Sequence, residues 1–96
     1  MAKVFTFKNK VWKDPASSGC YFIDLDNALS QKIKEYPDKK ANKFGLVRAT
    51  ATVGNTTWKT TLFPTKRGNY VMSIVKRVRQ KEKIEDKDML QVKIEL

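Results

Sequence analysis

The chain has 96 residues, 41% hydrophobic and 31% charged, with a net charge of +10; this is the size and composition of one domain with one core, and it excludes a disordered chain. No apolar run approaches the ~20 residues that cross a bilayer, and the amino-terminal MAKVFTFKNK lacks the apolar segment of a signal peptide, so no membrane partner is expected and the cytoplasm is the expected location. With one cysteine and no histidine, the chain lacks an intrachain disulfide, the usual zinc ligands and the Ser-His-Asp or Cys-His constellations, so no metal, cofactor or catalytic residue is expected.

Residues Val4 to Trp12 alternate, with Phe5, Phe7 and Val11 on one side and Thr6, Lys8 and Lys10 on the other. That is the period of a half-buried strand. Asp14 to Gly19 reads as a loop. A second strand runs from Cys20 to Leu25, with Cys20 taken as a small apolar strand residue. Asp26 has the chemistry of a helix N-cap. The helix is expected over Asn27 to about Tyr36, with Leu29, Ile33 and Tyr36 on one stripe, and Pro37 ends it. Asp38 to Lys43 is a polar loop.

Leu46 to Val53 and Thr56 to Phe63 both alternate, and Gly54-Asn55 between them forms a two-residue hairpin turn. That loop sets the register, pairing Val53 with Thr56, Ala51 with Trp58, Ala49 with Thr60, and Val47 with Leu62. Pro64 to Asn69 is a turn. Tyr70 to Val75 is a fifth strand, with Tyr70, Met72 and Ile74 on one face. Lys76 to Lys83 is a short helical segment with Ile84 as its apolar anchor. Glu85 to Asp88 is an acidic turn, without the spacing or glycine of a calcium loop. The last strand runs from Met89 to Leu96, with Leu90, Val92, Ile94 and Leu96 inward. Six short strands and little helix predict a mainly β fold that closes into a barrel and thereby removes its edges.

The charge is unevenly placed. Eleven of the twenty basic residues fall between Lys39 and Lys81, where no acidic residue occurs. Such a field attracts polyanions, most simply nucleic acid. Arg48, Lys59 and the threonines Thr50, Thr52, Thr57 and Thr61 share the polar face of the hairpin, where cations and hydroxyls suit phosphates. The plainer reading is a solvated strand face, since threonine is a good strand former. Lys66 and Arg67 precede the fifth strand; Lys76, Arg77 and Arg79 follow it. A five-residue strand is about 17 Å long, so the two groups flank it and suit an extended polyanion better than a small ligand.

Two other function classes compete. One is a small-ligand or enzymatic barrel with a pocket lined by Tyr21, Trp58 and Tyr70, where Arg48 or Arg79 reaches an acidic ligand. The alternation instead puts Trp58 and Tyr70 in the core, and leaves Trp12 and Phe44 as aromatics at element ends. The other is an interaction module that forms a homodimer by strand exchange.

Several short motifs carry a resemblance. They are Arg48 through Gly54-Asn55, Thr60-Thr61-Leu62-Phe63-Pro64, Gly68-Asn69-Tyr70, Val75-Lys76 with Arg79, Ile84, and Asp88-Met89-Leu90-Gln91-Val92. Together they resemble domain-of-unknown-function family 1905, small bacterial proteins, over nearly the whole chain. The family usually has Asn-Gly at the hairpin and Gly-Asp before the last strand; here the residues are Gly54-Asn55 and Lys87-Asp88. A glycine at position 87, where this chain has lysine, would suit a positive φ. The resemblance implies a six-stranded double-split β-barrel capped by helices, an architecture similar to that of dimeric DNA-binding transition-state regulators. It implies no activity, since fold does not determine function.

Overall fold

A computed structural model describes residues 3–16, 20–36, 40–41 and 45–96. In order, the elements are β1 (Val4–Lys13), β2 (Tyr21–Asp24), α1 (Asn27–Glu35), β3 (Lys40–Ala41), β4 (Val47–Val53), β5 (Thr56–Pro64), β6 (Tyr70–Ile74), α2 (Lys76–Glu82) and β7 (Met89–Glu95). The strands follow the order β3-β4-β5-β6-β2-β1-β7, and a further pairing of β4 with β7 closes a six-stranded antiparallel barrel. One correction concerns the segment read as a polar loop. Lys40 and Ala41 pair with Arg48 and Val47 as a two-residue strand on the edge of β4. Pro37 and Phe44 lie outside the described residues.

The alternating residues point where their period requires. Phe5, Phe7 and Val11 of β1, Val47, Ala49, Ala51 and Val53 of β4, and Val92 and Ile94 of β7 are all buried. They meet Ile23, Trp58, Leu62, Met72 and Ile74 in one core. Burying this set drives closure, because each open sheet edge would otherwise expose backbone groups and one apolar margin.

The hairpin has the expected register, with Val47, Ala49, Ala51 and Val53 opposite Leu62, Thr60, Trp58 and Thr56. Gly54 has φ +58, while Asn55 is not among the positive-φ residues. A glycine in the first central position fits the primed turn that needs positive φ there alone. The Gly-Asn order therefore chooses the turn type without changing the register.

The helices close the two ends. Asp26 caps α1 by accepting from the Leu29 amide at 2.6 Å. Leu29 and Ile33 are buried, and the Ser30 hydroxyl accepts from the Tyr70 amide at 3.0 Å. At the other end Val78 of α2 and Ile84 are buried. The Glu82 carboxylate accepts from the Thr56 hydroxyl, joining α2 to the hairpin. The following turn is latched to β1, with the Lys87 amide donating to the Val11 carbonyl and the Val11 amide to the Asp88 carbonyl, each at 2.8 Å. Neither described helix is long and apolar enough to cross a membrane.

Candidate functional site

The outward face of β4 and β5 carries Arg48, Thr50 and Thr52 beside Thr57, Lys59 and Thr61. Their inward neighbours fill the core, so strand pleating forces these side chains outward. Arg48 lies opposite Thr61, and Lys59 lies opposite Thr50. The two cations are thus diagonal neighbours, about 7–8 Å apart along the sheet. Both are exposed, and neither has an ion-pair partner among the described residues. A shallow cavity of ≈ 330 Å³ lies on this face, lined by Arg48, Thr50, Lys59 and Thr61 together with Glu95. The Thr52 and Thr57 hydroxyls bond each other at 2.9 Å.

Barrel closure extends this face beyond the central stretch of sequence. Thr52 pairs with Lys93 of β7, Lys93 with Thr6 of β1, and Gln91 with Lys8. Lys93 and Lys8 are exposed and lie on the same outer surface as Lys59. Sequence reasoning left them out because they sit in the two nearly neutral ends of the chain. Their alternation with Val92 and Phe7 did mark them as outward, but their neighbours depend on pairing between distant strands.

None of the described acidic residues forms an ion pair with Arg48, Lys59 or Lys93, and most accept hydrogen bonds instead. Asp14 accepts from the Ala16 amide, Asp26 caps α1, Asp86 accepts from the Lys13 amide, and Asp88 from the Glu85 amide. Glu35 bonds Gln31, and Glu82 bonds Thr56. Among the described residues, Asp24 takes a cation, pairing with Arg67 at 2.8 Å while also accepting from the Trp12 indole at 2.9 Å. Glu95 lines the cationic cavity and lowers its positive potential.

The remaining basic residues fall into two separate groups. Lys66 and Arg67 lie in the turn before β6, at the end closed by α1, where Lys34 also donates to the Gly68 carbonyl. Lys76, Arg77 and Arg79 lie on α2, beyond the other end of β6. The five residues of β6 keep the groups apart, as the strand length requires. Arg79 is half-buried, its guanidinium stacked 4.0 Å from the centroid of the Tyr21 ring. Lys39 and Lys43 lie outside the described residues.

The pocket of Tyr21, Trp58 and Tyr70 needs correction. Trp58 and Tyr70 are each only 3% exposed and belong to the core. Tyr70 pairs with Pro64, six residues along β5 from Trp58. Tyr21 instead lines an external cleft beside α2. The physical reason is that Trp58 and Tyr70 take inward positions and pack in the core cluster, whereas Tyr21 is only partly buried against it. Burial also raises the Tyr70 phenol above its ordinary value of 10.0. Cys20 departs from its expected place as well. It precedes β2 and is exposed. Trp12 is 37% exposed, and its ring lies 5.0 Å from that of Phe22.

The family model described as Domain of unknown function (DUF1905) matches residues 7–94. No curated protein matches the chain.

Proposed function

The chain belongs to the DUF1905 family, and from that premise we propose that it is a non-enzymatic binding domain that takes the phosphate backbone of nucleic acid on the outer face of β4, β5 and β7. The observation that supports this reading is the placement of Arg48, Lys59 and Lys93 on three neighbouring strands, β4 pairing with both β5 and β7, exposed and without ion-pair partners among the described residues. Arg48 supplies a planar fork of donors to a phosphate, while Lys59 and Lys93 act as point charges. Thr50, Thr57 and Thr61 offer hydroxyl donors between them. A face built this way holds phosphates without reading bases, so affinity comes mainly from released counterions.

Titrating duplex DNA, single-stranded DNA and RNA at low and moderate salt tests the proposal. Binding is expected at low salt, with the logarithm of the affinity falling linearly against the logarithm of salt concentration. The slope is about −0.7 to −0.9 per phosphate contacted. Absence of binding at low salt, or affinity indifferent to salt, overturns it.

A further inference from the structure

A second concavity, of ≈ 570 Å³, lies between β2 and the start of α2. Tyr21, Phe22 and Val75 give it an apolar lining, Lys13, Lys76 and Arg79 stand around it, and none of the described residues that line it is acidic. Its volume falls within the roughly 300–1,000 Å³ typical of small-molecule sites, which combine apolar walls with a few placed polar groups.

Arg79 is pre-organised here. Its guanidinium lies over the Tyr21 ring at 4.0 Å, and its Nε donates to the Ile74 carbonyl at 3.3 Å. Both contacts hold the planar fork at one place on the wall and reduce the rotamer freedom that ligand binding would otherwise remove. Lys13 and Lys76 are exposed and have no ion-pair partner among the described residues.

We propose that this cleft binds a small aromatic carboxylate. The ring lies against Phe22 and Val75, and the carboxylate faces Arg79 and Lys76. An apolar wall alone would take a neutral ring equally well. A cationic rim alone would take inorganic anions. The two together select a molecule with one apolar end and one anionic end. This site stands apart from the nucleic-acid reading, since neither Arg48 nor Lys59 lines it.

The experiment is a titration of the isotopically labelled protein with 2-naphthoate, followed by backbone amide shifts, with neutral 2-naphthamide as the comparison. The expected result is saturating shifts centred on Tyr21, Phe22 and the segment from Ser73 to Lys76. Affinity for the neutral amide is expected to be about tenfold weaker or worse, because a charge-assisted bond is lost. Arg79→Gln should weaken naphthoate by a similar factor. Lys76→Gln, at an exposed position, should weaken it several-fold and provides the test if Arg79→Gln disturbs the fold. The pair Arg48→Ala and Lys59→Ala should leave it unchanged, whatever it does to nucleic acid. The proposal is overturned by absence of saturable shifts at these residues in the millimolar range. Equal binding of the neutral amide, or wild-type affinity in both Arg79→Gln and Lys76→Gln, overturns it too.

Discussion

Ala51 and Trp58 face each other across the β4–β5 hairpin, and the small side chain of one leaves room for the ring of the other. Ala51 is fully buried and Trp58 is 3% exposed. Among the described residues, the indole Nε1 has no hydrogen-bond partner. The ring therefore contributes through its apolar area, and its N–H opposes burial.

Replacement of Trp58 should follow from that balance. Trp58→Ala is expected to cost about 3–5 kcal/mol by opening a cavity. Trp58→Phe should cost less than about 1.5 kcal/mol, since the loss of ring area is offset by removal of an unpaired donor. Ala51→Leu should cost about 1–3 kcal/mol through overpacking against the same ring. Urea unfolding midpoints at a constant slope would measure all three. A Phe variant as unstable as the Ala variant would show that the indole N–H is satisfied in solution.

Lys87 occupies the left-handed region, with φ +72, in the turn that latches to Val11. This is the position where a glycine was the expectation from family resemblance. The backbone keeps the glycine-type conformation although a lysine stands there, and a side chain in that region costs about 1–2 kcal/mol. Lys87→Gly should therefore stabilise the protein by about 0.5–1 kcal/mol, after allowing for the greater freedom of glycine in the unfolded chain. Thermal unfolding should move upward. A lower melting temperature would mean that the lysine side chain makes a contact worth more than the strain.

Arg48→Ala with Lys59→Ala should weaken nucleic-acid binding at low salt without disturbing the fold. Each lost phosphate contact should make the salt slope shallower by about 0.7–0.9. Unfolding free energy should change by no more than about 0.5 kcal/mol, since both side chains are exposed and unpaired among the described residues. Retention of the wild-type salt slope in the double variant would remove this face as the contact surface.

Tyr70 sets an expected alkaline limb. Burial raises its folded value above the ordinary 10.0, so the folded state holds the proton more tightly than the unfolded chain. Stability from this group is complete below about pH 10 and falls as pH rises from there through the folded value. Tyr70→Phe should flatten this part of the decline in unfolding free energy, with little change near neutral pH. An unchanged alkaline limb in the variant would assign the decline to other groups.

Much of the local structure was legible because its causes are local. Asp26 caps a helix that begins at the next residue, and the two-residue turn at Gly54-Asn55 dictates every partner in the hairpin. The face containing Arg48 and Lys59 was legible for the same reason, since both positions lie within that hairpin. Lys93 and Lys8 were not placed beside them, because alternation says which way a side chain points but not which strand lies next door.

The sequence by itself determined six of the seven strands, the capped helix, the hairpin register and the excess of positive charge. Tertiary structure alone decided that Ala51 meets Ile94, that Asp24 joins Trp12 to Arg67, and that Arg79 stacks on Tyr21. The physical reason is separation along the chain. Short-range periodicity and turn chemistry act within a few residues, whereas these contacts form only when burial of the shared apolar face closes the barrel and brings remote strands together.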